Sequence, residues 1–272
     1  MTRLVRQETN GVSVHSDPIL LARHGIVVAF SERSGGSSAP PYDSLNLAAH
    51  VGDEPSRVDE NRDRLLAAVD LADSRKRLVT ARQVHGDHVA VVGAEDAGKG
   101  AFASGGRDPI VSADAMLTTE VGLPLMLLYA DCVPVVIVAA DGSRGVAVAH
   151  AGWRGVLAGV PGKAVRALAL ETAQAPEDLY AYIGPHIGPC CYEVDEERVS
   201  QFRNTFATIT AVGNGLDLAA AVREDLARAG VSRERTAAVG ICTADHTERF
   251  FSYRASNVTG RHAALGAIAK GD

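Results

Sequence analysis

Apolar positions recur along the chain with two periods, one typical of strands and one typical of helices. Apolar runs rich in β-branched residues predict strands over residues 26–30, 78–80, 89–92, 112–119, 179–183 and 236–241. Apolar residues at helical spacing predict helices over residues 53–71, 155–173, 195–206 and 216–229, whereas residues 262–269 fit either structure. Because strands and helices are intermixed without a strict βαβ repeat, we expect one mixed α/β domain over residues 1–272, with residues 1–24 as a poorly ordered N-terminal extension.

The chain is organised around residues 123–155, LPLMLLYADCVPVVIVAADGSRGVAVAHAGWRG. Two apolar runs flank Asp131 and Cys132, and a third run leads into His150. A membrane helix over residues 121–140 would hold Asp131 at its centre, at a cost of about 2.5 to 3.5 kcal/mol, and would contain two prolines. Two buried strands are therefore predicted, with the cysteine between them.

Composition and charge narrow the class of protein. The 272 residues carry a net charge of −6 without a basic stripe, which argues against nucleic acid as a partner. No signal peptide is visible at the N-terminus, and the four cysteines contain no C-x-x-C pair. We expect a cytoplasmic protein with reduced thiols, no membrane partner and no structural disulfides. The oligomeric state does not follow from the sequence.

Three residues form a candidate metal centre. His85 lies in a predicted turn between strands, Cys132 lies between two strands, and His150 ends a third strand. A catalytic zinc ion takes three such nitrogen and sulfur ligands and keeps a fourth position for water or substrate. The ligands are 47 and 18 residues apart, so spacing alone does not select this interpretation over three ordinary structural residues.

A metal-free alternative uses the same residues. Cys132 and His150 can form a thiolate–imidazolium pair in which Cys132 is the nucleophile and Asp131 orients the pair or supplies a proton. Arg154 is the first candidate for an anionic substrate group because its planar fork matches carboxylates and phosphates, and Arg254 is a second candidate. Trp153 is expected to pack beneath the site or to stack on a planar ligand.

Several motifs resemble the bacterial YfiH/YlmD family, which is related to the human protein FAMIN and was long described as a multicopper polyphenol oxidoreductase or laccase. The resemblance covers roughly residues 25–269. The motifs are QVHG (83–86), ADCVP (130–134), HAGWRG (150–155), IGP and GPCCYEV (183–194), NL and HVGD (46–53), NR (61–62) and FFSYR (250–254).

The resemblance implies a layered mixed α/β fold, similar to the catalytic domain of cytotoxic necrotising factor. It also implies a metal, usually zinc, on His85, Cys132 and His150. The implied activities are phosphorolysis of adenosine, inosine, guanosine and methylthioadenosine, together with adenosine deamination, so the expected partners are a small nucleoside and phosphate. Candidate substrate-binding residues are then Arg154, Arg254, Asn46 and Arg62, although Arg62 in mid-helix also fits a solvated face.

Three other functions use the same residues. A copper-dependent polyphenol oxidase of the multicopper type needs paired His-x-His motifs, and the nine histidines contain none, although one copper ion on the three ligands remains open. A hydrolase acting on amide bonds of peptidoglycan precursors is a second alternative. The third is a metal-stabilised interaction module without catalysis.

Overall fold

The computed structural model describes residues 3–207 and 211–270, and it has the mixed α/β fold that the sequence predicts. The strands are β1 (Val5–Thr9), β2 (Val12–Ser16), β3 (Ile26–Ser31), β4 (Val79–Thr80), β5 (Val89–Val91), β6 (Ala115–Thr118), β7 (Leu125–Tyr129), β8 (Val133–Ala139), β9 (Gly145–Ala151), β10 (Tyr180–Ile183), β11 (Ala211–Val212), β12 (Gly215–Leu216), β13 (Thr236–Ala238) and β14 (His262–Ile268). The helices are α1 (Pro18–His24), α2 (Pro55–Ala68), α3 (Trp153–Leu157), α4 (Val160–Thr172), α5 (Glu196–Thr205), α6 (Leu218–Arg228) and α7 (Tyr253–Ser256).

Two six-stranded mixed sheets contain most of the strands. The first sheet has the order β1-β2-β3-β14-β7-β4, and the second has the order β13-β10-β8-β9-β6-β5. Strands β7 and β8 are consecutive in the chain but belong to different sheets, so the turn at Asp131 and Cys132 crosses from one sheet to the other. This crossing places Cys132 at the edge where the two sheets meet.

The two sheets pack face to face, and helices cover their outer surfaces. On β8, Val136 lies in the core between the sheets, whereas its neighbour Ile137 packs with the helices on the outer side. Leu65 of α2 packs with Met126 on the outer face of the first sheet. Because both faces of β8 and β9 are covered, these strands are continuous apolar runs rather than alternating ones.

Gly266 on β14 allows the two sheets to approach closely. A Cβ atom at this position would lie 2.5 Å from Val146 Cγ2 and 3.1 Å from Val148 Cγ2 in the facing sheet. We expect Gly266→Ala to lower the free energy of unfolding by about 1–3 kcal/mol, the usual cost of overpacking a core. Urea unfolding of Gly266→Ala, Val146→Ala and the double variant checks this. Additive effects in the double variant would contradict a direct clash, because the valine truncation should relieve it.

Several predicted elements are confirmed and others need correction. The two strands that flank Asp131 and Cys132 are present, and residues 262–268 form a strand. The helix predicted over residues 155–173 is divided into α3 and α4, because Gly159 adopts a left-handed conformation and Pro161 follows in the first turn of α4. Within the described residues, no helix is long and apolar enough to cross a membrane.

The N-terminal region differs from the prediction. Residues 5–16 form the β1–β2 hairpin at the edge of the first sheet, and α1 follows at residues 18–24. Val12 and Val14 are buried in the outer core of this sheet. The expected extension over residues 1–24 is therefore wrong for these segments, since burial of the two valines ties the hairpin to the fold.

Candidate metal centre and cavity

His85, Cys132 and His150 converge at the edge where the two sheets meet. Their ligand atoms all lie within 4.8 Å of one another, and the imidazole rings of His85 and His150 make an edge contact with centroids 4.8 Å apart. His85 is exposed on the turn between β4 and β5, whereas His150 is buried near the end of β9. The tertiary structure thus brings together the three ligands that the sequence predicts.

The position of His150 follows from the two-residue period of β9. Val146 and Val148 lie in the core between the sheets, and His150 is the next residue on the same face. Tyr129, the last residue of β7, packs against the His150 ring with centroids 5.4 Å apart. Cys132 packs against this same core. An apolar face that ends in an imidazole therefore presents His150 at the edge of the sheets.

Asp114 organises the centre, although no motif in the sequence singles it out. The pairing of Ala115 with Ala149 places Asp114 opposite His150, and Asp114 Oδ1 lies 2.8 Å from His150 Nδ1. Asp114 also accepts hydrogen bonds from the backbone N–H groups of three consecutive turn residues, which are Val84, His85 and Gly86. One buried carboxylate therefore orients one ligand and holds the turn that carries another, as carboxylates behind metal-binding histidines do.

The charges of Cys132 and His150 are coupled. Burial opposes the charged thiolate, but His150 and His85 outweigh it and lower the pKa of Cys132 to about 6. Burial likewise opposes the imidazolium, but Cys132 and Asp114 raise the pKa of His150 to about 9. The cluster therefore favours the thiolate, which is the form of cysteine that binds metals and acts as a nucleophile.

The residues around the cluster fit a metal ion such as zinc. A Cβ atom at Gly152 would lie 3.0 Å from His85 Cδ2 and 3.1 Å from Cys132 Sγ, so glycine keeps the space between the ligands open. Two imidazoles and one thiolate are a donor set that zinc accepts, and a catalytic zinc site leaves its fourth position to water or substrate. Copper also accepts imidazole and thiolate ligands, so the donor set does not select one metal.

A cavity of about 1020 Å³ opens in front of the three ligands. Its walls combine the candidate metal ligands with cationic side chains and aromatic rings. The cationic side chains are those of Arg62, Arg82, Arg107, Arg198, Arg254 and Arg261, and the aromatic side chains are those of Phe102, Trp153, Tyr192 and Tyr253. This volume and this lining suit a ligand that is partly anionic and partly planar.

Arg154 lies elsewhere than predicted. It is exposed, it stacks on the Trp153 ring with its Cζ atom 4.5 Å from the ring centroid, and it is not among the residues that line the cavity. Arg198 lies 4.1 Å from the centroid of the same ring. Trp153 therefore packs with two guanidinium groups. Arg254, the second candidate, lines the cavity, as does Arg261, which no sequence motif indicated.

Asn46 and Arg62 support the fold around the cavity. Asn46 is fully buried, and its amide bonds to Asp53 and to the backbone of Ala48 and Arg261. It therefore holds together the segments beside the cavity and is not among the residues that line it. Arg62 lines the cavity but is buried, and it donates hydrogen bonds to backbone carbonyls. These carbonyls belong to Leu47, Gly100 and Ala101. The solvated-face interpretation of Arg62 is therefore wrong, and its guanidinium joins two loops to α2.

Asp131 holds the turn of the candidate centre. Its Oδ1 atom accepts a 2.7 Å hydrogen bond from the Thr243 hydroxyl, and its Oδ2 atom accepts a 2.7 Å hydrogen bond from the Arg254 backbone N–H. One carboxylate oxygen thus fixes the start of α7 beside the cavity, and the other fixes the segment that carries Thr243. This arrangement suits a positioning role for Asp131 rather than the proton transfer that the sequence suggested.

His262 is a buried titratable residue next to this site. Its ring stacks on Tyr129 and meets Phe250 edge-on, with centroids 6.4 Å and 5.8 Å away. Burial, reinforced by the charge of Arg261, lowers the pKa of His262 to about 3 against a smaller opposing contribution from the Pro185 backbone. The folded chain therefore keeps this imidazole neutral at pH values where an unfolded chain protonates it.

This difference predicts a loss of stability in acid. Because the unfolded histidine binds its proton near pH 6.5 and the folded one near pH 3, the free energy of unfolding should fall as the pH drops between these values. The expected slope is up to about 1.4 kcal/mol per pH unit. Urea unfolding at pH 4.5 and pH 7 should show a smaller difference for His262→Phe than for the parent. His246→Gln, at a histidine that is only partly buried, is the control. Equal pH dependence in His262→Phe and the parent would contradict the prediction.

The layered fold with a His–Cys–His cluster in a cavity defines a mixed α/β protein with a candidate metal site. Residues 27–269 match the family model described as multi-copper polyphenol oxidoreductase laccase. The chain belongs to this family, which includes YfiH and YlmD.

Curated relatives and solved structures agree with this assignment. The chain is 39% identical to the purine nucleoside phosphorylase YlmD of Geobacillus stearothermophilus, with 89% of each chain covered. It is also 39% identical to the purine nucleoside phosphorylase YfiH of Escherichia coli K12, with 89% of this chain and 93% of that protein covered. The crystal structure of YlmD from G. stearothermophilus superimposes with a TM-score of 0.87 at 35% identity, covering 97% of this chain and 98% of that chain. The family and the relatives' names indicate an enzyme.

Proposed function

We propose that this protein is a zinc-dependent purine nucleoside phosphorylase that acts on adenosine, inosine, guanosine and methylthioadenosine, with adenosine deamination as a second activity in the cytoplasm. The observation that carries the proposal is the joint presence of the His–Cys–His cluster and several arginines on the walls of one cavity. Phosphorolysis needs phosphate beside the sugar, and the cavity offers cationic groups for it. The names of the relatives support the same reaction.

Phosphate is assigned to the wall formed by Arg261 and Arg254. Arg261 is half-buried, and burial lowers its pKa while the nearby Asp131 and Cys132 oppose that effect. Its Nη1 atom bonds the carbonyls of Thr259 and Gly260, which orients the guanidinium. A guanidinium that is oriented and partly withdrawn from water binds a phosphate oxygen more strongly than an exposed one.

The purine base is assigned to the aromatic wall. Phe102 and Tyr253 line the cavity and are exposed, with 39% and 55% of their surfaces accessible. Exposed rings at a cavity mouth provide flat apolar surface for a planar ligand. Trp153 is less suited to stack on the base because Arg154 and Arg198 both lie over its ring.

The reaction transfers the ribosyl group from the purine to phosphate. A phosphate oxygen forms a bond to C1′ while the bond from C1′ to the purine nitrogen breaks, and the departing base takes up a proton. Because His85 is a ligand of the proposed zinc ion, we assign this proton to solvent that enters the open cavity. A zinc ion on His85, Cys132 and His150 would supply Lewis acidity and lower the pKa of water towards about 7, which deamination requires.

Exchange of Arg261 tests the phosphate wall. We expect Arg261→Gln to raise the KM for phosphate about 10–100-fold, because a charged hydrogen bond contributes about 1.5–3 kcal/mol. The matched control is Arg154→Gln, which should leave this KM nearly unchanged because Arg154 stacks on Trp153 outside the cavity. Initial rates at varied phosphate concentration measure both. If Arg154→Gln raised the KM for phosphate and Arg261→Gln did not, the phosphate would be assigned to Arg154.

Product analysis tests the function itself. The purified protein is incubated with adenosine, with and without phosphate, and the products are separated by chromatography alongside elemental analysis of the protein. We expect adenine and ribose 1-phosphate only when phosphate is present, and inosine in both cases. Absence of phosphate-dependent adenine release would overturn the proposal. Copper-dependent oxidation of a phenol, or cleavage of a peptidoglycan-precursor amide, would assign the same centre to one of the alternative functions.

A further inference from the structure

A second cluster of three thiols lies outside the cavity. Cys190 and Cys191 follow β10, and Cys242 follows β13. Strands β10 and β13 are parallel neighbours, with Ile183 paired to Ala238, so the loops after them leave the sheet at the same edge. Sequence-distant cysteines thereby meet, and their Sγ atoms all lie within 4.8 Å of one another.

The spacing of the sulfur atoms suits a shared ion. An ion held about 2.3 Å from each of three sulfurs in one plane would set the sulfurs about 4 Å apart. Gly188 faces the cluster, and a Cβ atom there would lie 3.3 Å from Cys190 Sγ and 3.6 Å from Cys242 Sγ. Glycine therefore leaves space beside two of the sulfurs. All four cysteines of the chain are free thiols in this structure.

Backbone groups favour a negative charge on one of the three sulfurs. The Gly188 N–H donates a 3.2 Å hydrogen bond to Cys242 Sγ. A backbone donor at this distance stabilises negative charge on the sulfur, and the thiolate is the form of cysteine that binds metals.

We propose that Cys190, Cys191 and Cys242 form a second metal site, distinct from the His–Cys–His centre, and that this site binds monovalent copper, Cu(I). Soft thiolate donors select soft cations, and three sulfurs are sufficient for Cu(I), whereas a structural zinc site takes four protein ligands. Within the described residues, the cluster offers three. Binding involves no change of oxidation state: Cu(I) enters as such, and the thiols that coordinate it release their protons.

The site borders the proposed active centre through one loop. The Cys191 carbonyl accepts a 3.3 Å hydrogen bond from Arg254 Nη1, and the next residue, Tyr192, lines the cavity and lies beneath the Arg254 guanidinium. An ion on the three sulfurs would therefore stiffen the loop that supports Arg254. The proposal itself concerns the binding of the ion and does not depend on the reaction in the cavity.

Copper titration in a background without the first centre tests the proposal. The full chain carrying Cys132→Ser is titrated with Cu(I) under anaerobic, reducing conditions against a chromophoric Cu(I) chelator. We expect one tightly bound Cu(I) per chain, with an X-ray absorption spectrum that shows sulfur neighbours only. Adding Cys190→Ser and Cys242→Ser should remove this equivalent while the metal-free melting temperature stays close to that of the background.

Two results would overturn the second site. One is a Cys132→Ser chain that binds no Cu(I) in competition with the chelator. The other is a chain that still binds one Cu(I) after Cys190→Ser and Cys242→Ser are added. Should the combined variant fail to fold, Cys190→Ser alone decides the matter, because Cys190 is exposed and its replacement leaves the core intact. This variant is expected to lose the chelator-resistant ion, and retention of that ion would also overturn the proposal.

Discussion

Cys132→Ala is expected to abolish tight metal binding at the first centre and to lower nucleoside turnover by at least about 1,000-fold. The thiolate is one of the three donors whose ligand atoms lie within 4.8 Å of one another in this cluster, and its charge interacts with that of His150. Loss of Lewis-acid stabilisation worth several kcal/mol corresponds to three or more powers of ten in rate. Elemental analysis after dialysis and initial rates with adenosine and phosphate measure the two effects.

A pair of histidine variants supplies the matched comparison. His85→Ala should behave like Cys132→Ala, whereas His88→Ala should retain metal and activity, because His88 is exposed on the same turn but lies outside the cluster. Circular dichroism should show folded protein in all three cases. Full activity of a folded, metal-free Cys132→Ala protein would contradict catalysis at this centre. The same result would place the reaction elsewhere in the cavity.

Asp114→Asn is expected to have the next largest effect. The substitution keeps the shape of the side chain but removes the negative charge opposite His150 and one of the acceptors for the turn that carries His85. Partners behind metal ligands typically contribute 10–100-fold, so metal affinity and kcat/KM should each fall by about that factor. Competition with a chelator measures the affinity, and initial rates measure kcat/KM.

The control for Asp114 is an aspartate remote from the centre. Asp141 is exposed in the loop between β8 and β9, where it pairs with His24, so Asp141→Asn should leave metal affinity and kcat/KM unchanged. If Asp114→Asn kept the parent's affinity for metal, the carboxylate would serve the fold alone. A lower melting temperature with unchanged affinity and kcat/KM would lead to the same conclusion.

Local sequence patterns predicted most of the regular structure because the residues that face the core recur with the period of their helix or strand. The runs around Asp131 and Cys132 became β7 and β8, which are covered on both faces and therefore read as continuous apolar segments. The β1–β2 hairpin was missed, since it lies at a sheet edge and most of β1 is exposed. Arg62 was misjudged because the loops that bury it lie far away in the sequence.

The candidate metal ligands were predictable by residue type and by motif, but their partners were not. His85, Cys132 and His150 carry chemistry that stands out in a sequence, and the structure brings them together. Asp114 reads as an ordinary polar position near the start of the strand predicted over residues 112–119, until the pairing of β6 with β9 sets it opposite His150. The available signal was an acidic residue within a segment that is otherwise predicted to be a buried strand.

The sequence by itself determined the mixed α/β class, the chief strands and helices, the family resemblance and the three candidate ligands. These depend on local periodicity and on side-chain chemistry, which each segment carries with it. Only the tertiary structure decided that Arg261 lines the cavity while Arg154 stacks on Trp153, that Asp114 holds two parts of the centre, and that three thiols meet beyond β10 and β13. Those relations depend on strand order and register, which bring together residues that no local pattern connects.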